Sequence, residues 1–324
     1  MTFVRTVLGD IEPAALGVTY AHEHVIIDGG RPVLMEPDFD LGDVAAMTIE
    51  IGEAAALGLR AVVDAMPCDA GRSALKLADL SRRTGVHIIA PTGLHHDRYY
   101  GPAHWSARIS VEEIATLFVL DVTDGIDAND YSGPIVQRTG HRAGVIKIAG
   151  SAGGPSDRDR RVFEAAAAAH RQTGVPILTH CEGGTGALEQ LRLLTDEGVA
   201  AGHIAFSHID KVVDRGYHRE LLGSGAFGEY DQSFRWGEAP NGTLQVLGWA
   251  VEDGLDGQVL LGMDAARRGY YRVNGGSPGL TWLLAGFTDA MADHGFDEAI
   301  RRRWFVDNPA RAFAFAAASA EGDR

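Results

Sequence analysis

Short apolar segments recur eight times along the chain, and a segment with helical periodicity or helix-forming composition follows each of them. The strand-like segments cover residues 18–27, 59–66, 86–92, 144–149, 175–180, 203–208, 225–230 and 258–262. The helix-like segments cover residues 41–56, 73–84, 111–124, 157–173, 186–197, 214–222, 243–252 and 279–294. Short strands that alternate with single helices indicate βαβ units, and eight such units predict a closed (β/α)8 TIM barrel. No linker-like segment interrupts the alternation, so we expect one barrel domain over residues 1–324.

The composition is that of an ordinary globular protein, with 45% hydrophobic and 23% charged residues. A formal net charge of -15 argues against a nucleic acid or an anionic membrane as partner, because both are recognised through basic surfaces, and leaves a small-molecule substrate. The first residues lack the features of a secretory signal, and no apolar run is long enough to span a membrane, so we expect a cytoplasmic protein. The two cysteines, Cys68 and Cys181, form no disulfide framework, and we expect both to be buried thiols.

The first strand-like segment contains two histidines one residue apart, in the sequence "GVTYAHEHVIID". Side chains at positions i and i+2 of a strand point the same way, so His22 and His24 share a face while Glu23 points to the other. Such a pair fits a polar strand edge with incidental histidines as well as it fits a metal site. The rest of the chain has to decide between the two.

Further polar side chains occur at the carboxyl ends of other predicted strands, the end at which TIM barrels carry their active sites. Lys147 lies inside the apolar fourth strand, His180 ends the fifth, His208 ends the sixth, and Asp264 directly follows the eighth. Each of these residues alone has an ordinary structural explanation. Together with the histidine pair they place six potential ligands on one rim, and buried polar groups need partners. A metal site is the simplest partner.

The chain resembles the phosphotriesterase-like branch of the amidohydrolase superfamily over nearly its whole length. The motifs that carry the resemblance are "GDIEPAALGVTYAHEHVIID", "GVIKIAG", "ILTHCEGGTGALEQL", "FSHIDKVVDRGYHREL", "LLGMDAARRGYY" and "FVDNPARAF". Within that branch it is most similar to the group that hydrolyses sugar lactones, including furanose lactones that carry a phosphate. A homodimer is expected from the resemblance alone.

The resemblance implies a binuclear metal site. His22, His24 and Asp264 would hold the more buried ion, and His180 and His208 the more exposed one. Zinc suits imidazole and carboxylate ligands best, with manganese or cobalt as alternatives.

Lys147 would bridge both ions as a carbamate formed with carbon dioxide. An ammonium group has no lone pair and would repel two dications, whereas a carbamate supplies two anionic oxygens. A hydroxide shared by the two metals would attack the lactone carbonyl, and Asp264 would pass the proton of the hydroxide to the leaving alkoxide.

Substrate specificity is expected to come from loops at the same rim. Arg235 in the seventh loop, and Arg267 and Tyr270 in the eighth, match the positions that clamp the substrate phosphate in the sugar-lactone group, and arginine forks suit phosphate oxygens. His95 and Tyr99, in "GLHHDRYY", are expected to line the same mouth from the third loop.

Other functions stay open at this point. A promiscuous or dedicated organophosphate triesterase is one, but the organophosphate-hydrolysing members carry further acids after the sixth-strand histidine, where Lys211 interrupts them here. A hydrolase of neutral or hydrophobic lactones is another, with an apolar pocket around Phe234, Trp236 and Tyr271. A barrel that binds ligands without catalysis is the third, although it would need neither Asp264 nor a bridging lysine.

Overall fold

The computed structural model describes residues 2–237 and 240–316. The chain opens with an antiparallel hairpin of β1 (Val4–Thr6) and β2 (Gly9–Ile11). The barrel strands follow in chain order as β3 (Thr19–Glu23), β4 (Ala61–Asp64), β5 (His87–Ile89), β6 (Pro91–Thr92), β7 (Val145–Gly150), β8 (Ile177–Cys181), β9 (Ile204–Ser207), β10 (Phe227–Tyr230) and β11 (Val259–Leu261).

All pairings between neighbouring barrel strands are parallel, in the order β3–β4–β5 and β6–β7–β8–β9–β10–β11. Strands β5 and β6 together form one barrel strand that is interrupted at Ala90, so the nine segments make up the eight strands of the barrel. The barrel closes where the N–H groups of Met263 and Asp264 donate to the carbonyl of His22, at 3.2 and 2.9 Å. The predicted (β/α)8 barrel is confirmed.

Helices cover the outside of the sheet. They are α1 (Gly30–Met35), α2 (Val44–Ala56), α3 (Ala74–Thr84), α4 (Val111–Thr123), α5 (Asp157–Thr173), α6 (Ala187–Asp196), α7 (Arg215–Gly223), α8 (Gly242–Glu252), α9 (Gly286–Asp293), α10 (Glu298–Arg302) and α11 (Asn308–Ala312). Their first residues follow from the sequence. Ser156 and Asp159 form a capping box that starts α5, and Gly174 ends that helix with φ of 75°, a left-handed conformation that glycine adopts without strain.

The core has two layers because side chains of each strand alternate between the barrel interior and the helices. On β7, Val145 packs inside the barrel and Ile146 packs against the helices. Lys147, the next residue, therefore points back into the interior. Val4 and Phe313 belong to the same inner cluster as Val145, so the hairpin and the end of α11 close the amino-terminal end of the barrel.

Several predicted boundaries were wrong. The first strand was predicted over residues 18–27 but ends at Glu23, because the chain turns out of the sheet there and the Asp64 carboxylate accepts the N–H of Val25 at 2.9 Å in place of a neighbouring strand. The eighth helix, predicted over residues 279–294, starts as a 3₁₀ turn at Leu280–Trp282 before α9. The hairpin was not predicted, since three-residue strands are too short to show a period.

The single domain over residues 1–324 stays a prediction, and residues 317–324 lie outside the described part of the chain. Among the described residues, no helix combines the length and the apolar character that crossing a membrane requires. Cys68 and Cys181 are both buried free thiols, as expected.

Candidate metal centre and active site

The six predicted ligands converge at the carboxyl end of the barrel. His22 Nε2 and His24 Nε2 lie 3.6 and 3.2 Å from Asp264 Oδ1. The ligand atoms of these three residues fall within 4.8 Å of one another, close enough to bind one ion. Lys147 also reaches this group, since its Nζ lies 3.4 Å from His22 Nε2.

His180 and His208 form a second group. His208 Nε2 faces His180 Nδ1 at 2.9 Å. The other nitrogen of each ring faces a carboxylate, since His208 Nδ1 lies 2.7 Å from Asp231 Oδ2 and His180 Nε2 lies 2.9 Å from Glu182 Oε2. A carboxylate accepts hydrogen bonds, so these outer nitrogens carry the protons of the neutral rings.

The two inner nitrogens then present lone pairs to each other. A proton between them would make one ring cationic, but burial lowers the pKa of His180 well below its ordinary value, with the neighbouring His208 acting in the same direction. A divalent cation held by both imidazoles satisfies both lone pairs at once. The residues of this site therefore fit a metal, and neutral imidazoles with carboxylates form a donor set that suits zinc.

Sequence reasoning missed Asp231, the carboxylate that serves both groups. It is fully buried and accepts from His22 Nδ1 at 3.1 Å as well as from His208 Nδ1. Burial raises the pKa of Asp231, but His208 and His22 more than offset this effect and hold it well below its usual range. Such a carboxylate fixes the tautomer and orientation of a metal-binding histidine. Alternation along "FGEYD" was the available signal, since it turns Asp231 inward.

Glu182 was missed as well. Its carboxylate contacts His180, lies 3.2 Å from His96 Nε2 and pairs with Arg98 at 3.2 Å. The hydrogen bond from His180 is the largest influence on Glu182 and lowers its pKa far below the usual range, with Arg98 acting in the same direction. Glu182 thus orients His180 and ties it to the third loop.

Lys147 is buried inside the barrel, where its amine contacts Ser207 Oγ at 3.0 Å. Burial lowers the pKa of the Lys147 amine. The strand beside it approaches closely at Gly93, whose φ is +113° and whose missing Cβ would lie 1.9 Å from the Lys147 carbonyl oxygen. Only glycine fits at this position, so the lysine backbone is held in place from both sides.

Two of the candidate ligands have unusual backbones. His208 and Asp264 have φ of 64° and 49°, the left-handed region that non-glycine residues seldom adopt. Each lies where the chain leaves its strand. Such conformations cost of the order of 1–3 kcal/mol and tend to occur at functional sites, where the surrounding structure maintains them.

A cavity of about 240 Å³ opens above the candidate ligands. The five predicted substrate-binding residues all line it: His95, Tyr99, Arg235, Arg267 and Tyr270. Arg98 and Lys211, which sequence reasoning did not assign to substrate, line it too.

The predicted clamp residues already have partners. Arg235 donates to the carbonyls of Asp231, Met263 and Asp264 at 2.7 to 2.8 Å, so much of its guanidinium supports the strand ends. Arg267 pairs with Glu36 at 2.8 Å.

The apolar pocket considered as an alternative does not form as one group. Tyr271 is fully buried and donates to the carbonyls of His24 and Ala265. Trp236 donates to Thr243, and only Phe234 packs against Tyr270. None of the three lines the cavity described above.

Comparison with known proteins identifies the family of the chain. The model of the phosphotriesterase family matches residues 2–313. A protein of Mycoplasmopsis synoviae named phospho-furanose lactonase is 33% identical, over 97% of this chain and 92% of that protein. The crystal structure of a lactonase from Listeria monocytogenes superposes with a TM-score of 0.89 at 29% identity, over 97% of this chain and 100% of that one. The phosphotriesterase homology protein of Escherichia coli, crystallised with phosphate in its active site, gives a TM-score of 0.84 at 32% identity, over 92% of this chain and 99% of that one. The resemblance inferred from the motifs is confirmed, and the chain belongs to the phosphotriesterase family.

Proposed function

We propose that the protein is a binuclear metal-dependent lactonase that opens a phosphorylated furanose lactone. The protein is a metal-dependent hydrolase of ester bonds, as its family and the names of its relatives indicate. The observation that carries the binuclear site is the pair of facing ring nitrogens of His180 and His208, 2.9 Å apart, beside a separate cluster of His22, His24 and Asp264. One cation would bind at each.

Lys147 would join the two groups as a carbamate. Its lowered pKa favours the neutral amine, which is the form that attacks carbon dioxide. Attack of the neutral amine forms one N–C bond, opens one C–O π bond of carbon dioxide and releases one proton, so that the amine becomes an anionic ligand. Elemental analysis should find close to two ions per chain, zinc first with manganese or cobalt as alternatives. One ion at saturation, or an unmodified amine in a metal-loaded crystal, would contradict the binuclear proposal.

Bound in this way, the two cations would supply Lewis acidity, which acidifies a water molecule and polarises the lactone carbonyl. Asp264 is placed to move the proton, because its carboxylate lines the active-site cavity with Oδ1 3.2 Å from His24 Nε2. Attack of water on the carbonyl carbon breaks the ring C–O bond. Asp264 takes the proton of the water and returns it to the leaving alkoxide, so no serine or cysteine nucleophile is required.

The phosphate preference rests on the basic side chains around the cavity. Four cationic side chains, Arg98, Lys211, Arg235 and Arg267, line the mouth against two carboxylates, Glu182 and Asp264. Such a local concentration of cations favours an anionic substrate over a neutral one.

A screen of aldono-lactones with and without a terminal phosphate, on metal-replete enzyme, tests the proposal directly. Hydrolysis of the phosphorylated furanose lactones with the highest kcat/KM is expected. Binding without turnover would favour the non-catalytic barrel, and faster turnover of organophosphate triesters would favour the triesterase. A homodimer and a cytoplasmic location stay predictions from the sequence.

A further inference from the structure

A second cavity, of about 520 Å³, lies beside the active site between the third loop and the start of α5. Four arginines line it, Arg31, Arg98, Arg158 and Arg161, and Asp97 is the one carboxylate among its lining residues. Arg98 lines the active-site cavity as well, so the two cavities are neighbours. Arg98 pairs with Glu182 and Arg158 with Asp97, so the guanidinium charges of Arg31 and Arg161 remain at the opening, and like charges repel one another unless an anion offsets them.

Arg158 is fixed at the wall of this cavity. Its Nε side pairs with Asp97, its Nη1 donates to the carbonyl of His95 at 2.9 Å, and its guanidinium lies 5.4 Å from the centre of the Tyr100 ring. The remaining nitrogen, Nη2, is buried and has no hydrogen-bond partner within residues 2–237 and 240–316. A buried donor without an acceptor is costly, so the Arg158 guanidinium at this wall keeps unused hydrogen-bonding capacity.

Arg161 and Arg31 supply charge without a carboxylate. Arg161 donates to the carbonyl of Ile109, and Arg31 donates to the carbonyl of Arg98 at 3.4 Å. Neither forms an ion pair with any residue in the described part of the chain. The ideal Cβ position of Gly101 lies 3.4 Å from Arg31 Cζ, an ordinary van der Waals distance, so the guanidinium packs directly beside this glycine.

We propose that this second cavity binds a phosphate group, either inorganic phosphate or the phosphate of a monoester. Guanidinium forks match phosphate oxygens in geometry as well as in charge. Arg158 supplies a guanidinium held at the cavity wall, and Arg161 and Arg31 supply charge that no carboxylate offsets. The phosphate belongs either to the far end of a substrate that extends past Arg98, or to a separate phosphorylated compound that binds next to the active site.

Inorganic phosphate is the probe, titrated calorimetrically into the metal-loaded enzyme. Arg158→Gln and Arg161→Gln should each weaken one phosphate-binding event by roughly tenfold or more, the effect of one lost charge-assisted hydrogen bond. Arg160→Gln is the matched control, because Arg160 lies on the same helix but pairs with Glu189 and does not line the cavity. Arg31→Gln is an independent variant, since this exposed side chain makes one long hydrogen bond and folding does not depend on it.

Phosphate bound among the metal ligands would not respond to these changes. Binding that is equal in wild type, Arg158→Gln, Arg161→Gln and Arg31→Gln, or no phosphate binding at all, would overturn the proposal. This phosphate titration does not depend on lactone hydrolysis, so the proposed phosphate site could still be correct if the proposed lactonase activity were not.

Kinetics separate the two sources of the phosphate. If kcat/KM falls only for a phosphorylated lactone, the site holds the far end of the substrate. If free phosphate changes the turnover of an unphosphorylated lactone in wild type and Arg160→Gln but not in Arg158→Gln, the site holds a separate compound.

Discussion

Asp231 is the residue whose removal should most clearly expose how the two metal positions depend on each other. One carboxylate accepts from His22, a ligand proposed for the buried ion, and from His208, a ligand proposed for the exposed ion. Asp231→Asn keeps the shape of the side chain but removes its charge and one of its two acceptor oxygens. The substitution should therefore weaken the binding of both ions, because it disturbs one histidine of each group.

The magnitude follows from the two contacts, at 3.1 and 2.7 Å. A hydrogen bond to a charged group contributes about 1.5–3 kcal/mol, and loss of an orienting carboxylate typically costs about 10–100-fold in metal affinity. We expect Asp231→Asn to reduce the affinity for each of two zinc ions by about 10–100-fold.

The assay is zinc competition with a chromophoric chelator, with metal content measured after dialysis. Glu182→Gln is the comparison, because His180 is the one candidate ligand that Glu182 contacts within the described residues, so its loss should weaken one ion and spare the other. Circular dichroism confirms that both variants fold. Retention of both ions by Asp231→Asn, with affinities within about threefold of wild type, would refute the reasoning.

Three further predictions concern the chemistry, the specificity and the fold. Asp264→Asn should lower lactone turnover by at least about 100-fold in metal-replete enzyme, since an amide takes up no proton, and a loss under tenfold would contradict its role. Arg267→Ala should lower kcat/KM by about 10–100-fold for a phosphorylated lactone and barely change it for the unphosphorylated one, while Arg268→Ala, its neighbour outside the cavity, should change neither. Equal losses for both substrates would make Arg267 structural. Gly93→Ala should lower the free energy of unfolding by roughly 2–6 kcal/mol in chemical denaturation, because backbone strain and the overlap of the new Cβ with Lys147 add. Gly85→Ala is the control, since its φ of +70° is strained but the space around it is open, and it should cost about 1–2 kcal/mol. Similar losses for the two would show that the close approach at Gly93 relaxes.

The barrel was predictable because its causes are local and repeated. Each βαβ unit carries its own period, caps and turn residues, and eight repeats leave few architectures open. The placement of Lys147 and His180 followed from the same local rule, since alternation along β7 and β8 turns both inward. The ends of the elements were harder to predict, because a tertiary contact decides them, as the Asp64 carboxylate does after Glu23.

The partners of the candidate ligands could not be predicted in the same way. Asp231 lies 209 residues from His22, and Glu182 meets Arg98 across 84 residues. Alternation along the strand indicates that Asp231 points inward, but the sequence does not show which side chains either carboxylate meets, because partners such as His22 and Arg98 lie far away along the chain. The second cavity is hidden for the same reason, since its arginines come from α1, the third loop and α5 and are ordinary surface residues until the fold joins them.

One positional rule nevertheless unites the ligands with their missed partners. His24, Glu182, His208 and Asp231 are each the first residue after a barrel strand, namely β3, β8, β9 and β10. At that position the strand still fixes the direction of the side chain, while the backbone is already leaving the sheet and can bring the side chain over the barrel mouth. Gly93 is also the first residue after a barrel strand, β6, but it must lack a side chain, because a Cβ there would collide with Lys147. Polar residues at this one position in a parallel barrel thus indicate both groups that would hold an ion and groups that orient them, and Asp231 and Glu182 belong to the second kind.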